Sequence, residues 1–147
     1  MEHVHIVGAD SERTERIAAT FRGGGWTTSI SPDTNGFWKM QGEWLDHQPE
    51  EPLGVIFAVR RNDNLPPLDL AKVCWVLNHS RESRTWFVVG VMTDDGTELL
   101  PPRLDVVVPY GEPPETLLAP MRAGLKKRGG MVEQWRRLKR RGSGPSA

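Results

Sequence analysis

Cysteine is nearly absent: Cys74 stands alone among 147 residues. That excludes an internal disulfide framework and any multi-cysteine metal cage. No apolar run approaches the roughly 20 residues that a membrane-spanning helix needs. The stretch His3 to Gly8 is too short, and too acidic at its flanks, for a secretory signal, so the expected location is cytoplasmic. A glycine-rich phosphate loop is also missing, because Gly23-Gly24-Gly25 follows a helical pattern rather than a strand. None of the serines sits in a nucleophile elbow. His3, His5, His47 and His79 are scattered without Asp, Glu or Cys at ligand spacing, so no metal is expected.

What is present is a chain of one-domain size, 37% hydrophobic and 26% charged, a composition that folds around a single core. Its zero net charge conceals a split. Residues 126–147 hold eight of the nineteen basic residues and one of the nineteen acids, Glu133, for a net +7. The other 125 residues keep eleven basic and eighteen acidic groups, a net −7. An acidic body argues against nucleic acid as the body's partner and leaves it open only for the basic tail.

Apolar spacing sets out the elements. Val4 to Val7 reads as a strand. Thr14, Ile17, Ala18 and Phe21 then share one face of a helix from Ser11 to Arg22, stopped by the three glycines. Trp26 to Ile30 reads as a second strand, and Ser31 to Gly36 as a loop. A short helix is expected from Phe37 to His47. The continuous apolar run Leu53 to Val59 is the strongest strand signal, followed by a helix from about Pro67 to Asn78, where Leu70, Val73, Cys74 and Leu77 recur at helical spacing. Cys74 falls on that apolar stripe and reads as a core residue. Trp86 to Met92 and Leu104 to Val108 complete five strands. About eleven residues, including Pro101-Pro102, separate the last two strands, too few for the usual fourth helix. Leu117, Leu118, Met121 and Leu125 mark a closing helix that begins near Ala119 or kinks at Pro120.

Gly129-Gly130 is read as a break. Beyond it Met131, Trp135 and Leu138 lie on a short basic helix, and residues 142–147 form a disordered end. The expected division is therefore an α/β domain over 1–128 and a basic helix and tail over 129–147. Strands that are apolar on both faces, alternating with helices, imply a parallel sheet covered on both sides. The simplest solution is an α/β, flavodoxin-like three-layer sandwich with strand order 2-1-3-4-5.

Two families share this plan. Val4 to Trp26, the third strand with its Cys74 helix, and above all Phe87-Val88-Val89-Gly90-Val91-Met92-Thr93-Asp94-Asp95 followed by Glu98-Leu99-Leu100-Pro101-Pro102 resemble the Toll/interleukin receptor (TIR) domain over residues 3–128. Leu65-Pro66-Pro67-Leu68-Asp69-Leu70 and Val108-Pro109-Tyr110, with Thr93 in the position of a switch hydroxyl, resemble the response-regulator receiver. A receiver has an acidic pair after strand one, a phosphorylatable Asp closing strand three, and a lysine before the proline. This chain has Ala9-Asp10, Val59-Arg60 and Val108 at those places. These departures and the missing fourth helix favour the TIR resemblance.

The TIR resemblance implies an interaction module acting by self-assembly or partner docking, with NAD as ligand or substrate in the members that cleave it. Those members use a glutamate on the helix after strand three, to stabilise the cationic sugar. Here that helix contains no Glu; Asp69 is its only acid, in the first turn where it suits the helix dipole. Asp69 and Glu43 are the catalytic candidates, in a chain expected to be non-catalytic and to need no cofactor. The strand-end loops would hold a ligand through Asp10, Ser11, Arg60, Arg61 and Asp94. Trp38 and Trp44 are the candidate interface anchors. The alternatives are an NAD-cleaving hydrolase and a degenerate receiver that binds proteins without being phosphorylated. No membrane partner is expected, and the basic tail is expected to dock on the acidic body or on an acidic partner.

Overall fold

Five parallel strands lie in the order β2-β1-β3-β4-β5, the expected arrangement. The computed structural model describes residues 2–46, 53–59, 87–93 and 105–143. The strands are β1 (His3–Val7), β2 (Thr27–Ser31), β3 (Leu53–Val59), β4 (Phe87–Thr93) and β5 (Val106–Pro109). The helices are α1 (Ser11–Gly23), α2 (Thr34–Asp46) and α3 (Leu118–Ser143), the last entered through a 3-10 turn at Pro114–Leu117. The expected helix over 67–78 and the segment expected to lack a fourth helix both lie outside the described residues.

The central strands β3 and β4 are apolar on both parities because the middle of the sheet is buried on both faces, while the edge strand β2 is largely polar. On one face Val4, Ile6, Ile56, Ala58, Val88, Met92 and Val108 meet Ile17, Ala18 and Phe21 of α1 and Met121 and Leu125 of α3. Gly90 lets α3 approach β4, since a Cβ there would come within 2.9 Å of Met121 Sδ. Trp26 precedes β2 rather than opening it. It is buried edge-on against Phe21, with ring centroids 4.9 Å apart. On the opposite face Phe37 of α2 packs against Phe57, with centroids 5.5 Å apart.

Helix α2 starts three residues earlier than its apolar stripe indicates, inside the segment read as a loop. Asp33 is the cause: its Oδ1 accepts from Gly36 N at 3.2 Å, which satisfies an orphan N–H of the first turn. Gly36 is required by close approach, because a Cβ there would lie 2.4 Å from Ser31 Oγ. Strand β5 begins later than expected, at Val106. Asp105 is paired with Val89 through its backbone N–H (3.1 Å) and, through its carboxylate, with Val89 N (2.9 Å).

Helix α3 corrects the expected break. It runs through Gly129-Gly130 without interruption, so the expected boundary at 128/129 falls inside one helix of 26 residues. Glycine keeps both backbone hydrogen-bonding groups and costs only about 1 kcal/mol in a helix, less than the flanking helix formers support. Pro120 is harmless in the first turn, where its missing N–H has no intrahelical partner to lose. Arg122 fastens the helix start, donating to Gly24 O at 2.8 Å and pairing with Glu2 at 3.2 Å. Arg128 pairs with Asp105 at 2.9 Å. Past Leu125 no described residue is buried, and Leu138 is 58% exposed. About 27 Å of helix follows Leu125. The side chains of Met131 and Trp135, on which the expected docking of this segment turns, lie outside the described set. Among the described residues no helix is long and apolar enough to cross a membrane.

Candidate functional site

The C-terminal ends of the strands form the corner where ligands bind in such sheets. The described part consists of Gly8 to Ser11 after β1, Thr93 closing β4, and Pro109-Tyr110 closing β5. Register places Val59 beside Thr93 and Thr93 beside Pro109, and Tyr110 N donates to Thr93 O at 3.1 Å. Thr93 is buried.

Asp10 is committed locally. It is the N-cap of α1: Oδ1 accepts from Arg13 N at 3.2 Å, and its carbonyl accepts from Thr14 N at 3.0 Å. Ser11 opens α1 and is exposed. Val108, at the receiver's lysine position, is buried in the α1/α3 core. The cation at this corner comes instead from α1. The Arg13 guanidinium donates to the carbonyls of Tyr110 and, at 3.0 Å, Glu112, touches Met92 Sδ at 3.9 Å, and lies 4.7 Å from the Tyr110 ring centroid. Arg13 carries no sequence signal beyond its place three residues after Asp10, which is why spacing alone misses it.

The other expected site residues are dispersed. Glu43 is exposed on α2. Trp38 is half-buried, its ring 5.4 Å from that of Phe37. Trp44 lies on α2 with its side chain outside the described set. Arg60, Arg61, Asp69 and Asp94 lie outside the described residues. Among the described residues no group of three His, Cys, Asp or Glu side chains could hold a metal ion.

A second polar constellation runs along the edge of the sheet. His3 Nδ1 lies 2.6 Å from Thr27 Oγ1, and His3 Nε2 lies 3.0 Å from Ser29 Oγ. His5 Nδ1 lies 2.6 Å from the same Ser29 Oγ, and His5 Nε2 lies 2.7 Å from Ser31 Oγ. Burial lowers the His3 pKa. Burial, and then the neighbouring His3, push His5 down to about 4, so both rings are neutral at pH 7. The sequence signal was the alternation of Thr27, Ser29 and Ser31 opposite His3 and His5, legible only once β2 is paired with β1 in this register.

No protein-family model matches the chain. No curated protein matches it either. Solved structures do. The N-terminal domain of a three-domain response regulator/sensory box/GGDEF protein from Carboxydothermus hydrogenoformans matches with a TM-score of 0.63 and 13% identity, over 89% of this chain and 99% of that one. A CheY-like receiver domain protein from Methanospirillum hungatei JF-1 matches with a TM-score of 0.57 and 14% identity, over 89% and 98%. An atypical orphan response regulator, described as having a phosphorylation-independent regulatory mechanism, matches with a TM-score of 0.55 and 16% identity, over 84% and 95%. These likenesses favour the receiver resemblance over the TIR one. At such identities they show the fold, and the fold is a flavodoxin-like sandwich of the receiver, CheY-like kind.

Proposed function

We propose that this chain is a receiver-like signalling module that works through protein contacts and accepts no phosphoryl group. The observation that carries this reading is the corner at the end of β5. Val108 is buried among core residues where a receiver's lysine would stand, and the nearby cation, Arg13, is bound to the carbonyls of Tyr110 and Glu112. Its Nη2 donates to both carbonyls and the group lies over the Tyr110 ring, which ties it to the strand end, while its buried Nε has no hydrogen-bond partner among the described residues. In the sequence, Val59-Arg60 offers no carboxylate nucleophile at the end of β3, and Ala9-Asp10 offers one acid where a divalent cation needs several oxygens. The orphan, phosphorylation-independent neighbour supports the same reading.

The output surface in this reading is the part of α3 beyond Arg128. It carries most of the +7 charge, past the last core residue, and its partner is an acidic protein surface. Two experiments test the module. Incubation with a small phosphoryl donor and Mg²⁺, followed by intact-mass measurement, should give no adduct. Cutting the chain after Arg128 should remove partner capture while leaving the fold. An adduct, or capture that persists without residues 129–147, contradicts the reading.

A further inference from the structure

Gly124, Gly129 and Gly130 all lie inside α3. Packing dictates the first of them: a Cβ at Gly124 would come within 2.7 Å of Val88 Cγ1. The other two differ. A Cβ at either would meet no described atom within 4 Å, and Gly130 is exposed. Neither has a positive φ, which among the described glycines is found at Gly25. Alanine fits both places, and a helix interior prefers alanine to glycine. Among the described residues, neither packing nor backbone conformation calls for the pair.

The pair stands where the attachment of α3 ends. Before it, Met121 and Leu125 are buried in the core, and Arg122 is held by Gly24 O and Glu2. Arg128 then reaches Asp105 at 2.9 Å. Asp105 is itself fixed to Val89 through its backbone N–H and its other carboxylate oxygen. Gly129 follows at once. Beyond the pair, Gln134, Arg137 and Leu138 are exposed.

The segment 131–143 is a weak helix by itself. Its length falls near the limit, about 12–15 residues, at which an isolated helix is marginal in water. Arg136, Arg137, Lys139, Arg140 and Arg141 crowd its second half, and Glu133 is its one acid. Like charges four residues apart, at 136/140 and 137/141, oppose the helix. The helix dipole favours cations in the last turn alone.

We infer that Gly129-Gly130 divides α3 into two units. The anchored half is helical whenever the sheet is formed. The distal arm, 131–143, exchanges between helix and coil, with the break at the pair. The continuous helix is one state of the arm, and the glycines lower the cost of leaving it. The arm can thus change order and direction without disturbing the sheet. This goes beyond the proposed output role of the segment, because it does not depend on what the arm binds.

Residue-resolved ¹³Cα chemical shifts of the full chain test the division. They should show full helix up to Arg128 and a step down beyond Gly130. In Gly129→Ala/Gly130→Ala the helix-to-coil ratio of residues 131–138 should rise about 15- to 30-fold, and in each single variant about 4- to 5-fold, from the difference between glycine and alanine in a helix interior. Gly42→Ala, which fills similarly open space in α2, should leave the arm unchanged. The urea midpoint should not fall in any variant of the pair; a fall would mean that the glycines seat against a neighbour, and would overturn the proposal. Native-chain shifts in the arm as helical as those of residues 121–127, a decline with no step at the pair, or a ratio unmoved by the double substitution overturns it as well.

Discussion

Arg13 and Tyr110 tie the start of α1 to the end of β5, with the guanidinium 4.7 Å from the ring centroid and donating to the Tyr110 carbonyl. The contact joins residues 97 positions apart. It closes the corner at which the sheet would otherwise offer a cation to a ligand. Arg13→Ala should therefore destabilise the fold by about 1–2 kcal/mol, leaving carbonyls under-satisfied and an aromatic face bare. Arg13→Lys should recover less than half of this, because an ammonium lacks the planar face that lies over the Tyr110 ring. Urea denaturation reads both, and a loss under about 0.5 kcal/mol for the alanine variant would show that the corner is not held by this residue.

Acid stability follows from His5. Its folded pKa is depressed, to about 4, so between roughly pH 6.5 and pH 4 the unfolded chain binds the proton more readily. The stability contribution is fully present above about pH 6.5 and is lost as pH falls through that window. The expected loss is on the order of 2–3 kcal/mol at about 1.4 kcal/mol per unit. Urea midpoints measured at pH 7, 5.5 and 4.5 should show it in the native chain, with a smaller decline in His5→Gln.

The seat of α2 should be intolerant of a single methyl group. Gly36→Ala places a Cβ 2.4 Å from Ser31 Oγ and 2.7 Å from Ser31 Cβ, so the helix start must shift, at a cost of about 1–3 kcal/mol. Combining it with Ser31→Gly should cost less than the sum of the two single changes, because the second removes the atoms that clash. Asp33→Ala should cost about 1 kcal/mol through loss of the cap. Thermal melts of the four variants test these expectations, and additivity of the pair would mean that the two residues do not touch.

Removing the chain beyond Arg128 should change stability by less than about 0.5 kcal/mol, since Gln134 and Leu138 are exposed and no described residue past Leu125 is buried. A midpoint that drops sharply, and drops less at low salt, would mean that the segment docks on the acidic body after all.

The sheet was legible because its central strands β3 and β4 are apolar on both parities, and the strand order followed from right-handed crossovers alone. Element ends were less legible where a side chain overrides composition. Asp33 turns a loop-like Ser-Pro-Asp-Thr-Asn-Gly stretch into a helix start, and the two glycines of α3 read as a stop although a helix already anchored by Leu118 to Leu125 carries them. The site was hardest, because its content is relational. Arg13 is an ordinary surface-helix residue until α1 is laid across β5, and His3 and His5 have no evident partners in the sequence until three hydroxyls stand opposite them. Preference for the TIR resemblance rested on absences, the helix expected to be missing and the missing acids, and an absence of catalytic residues does not distinguish two folds with the same strand order.

The most direct test of the account is ¹⁵N-resolved titration of the full chain with beryllofluoride and Mg²⁺, which together mimic a bound phosphoryl group. The account predicts no saturable shift at the amides of Asp10, Thr93 and Tyr110, because Val108 supplies no cation and Arg13 is held by the carbonyls of Tyr110 and Glu112. Saturable shifts at those three amides, lost in Asp10→Asn, would contradict it and make this corner a working phosphoryl acceptor.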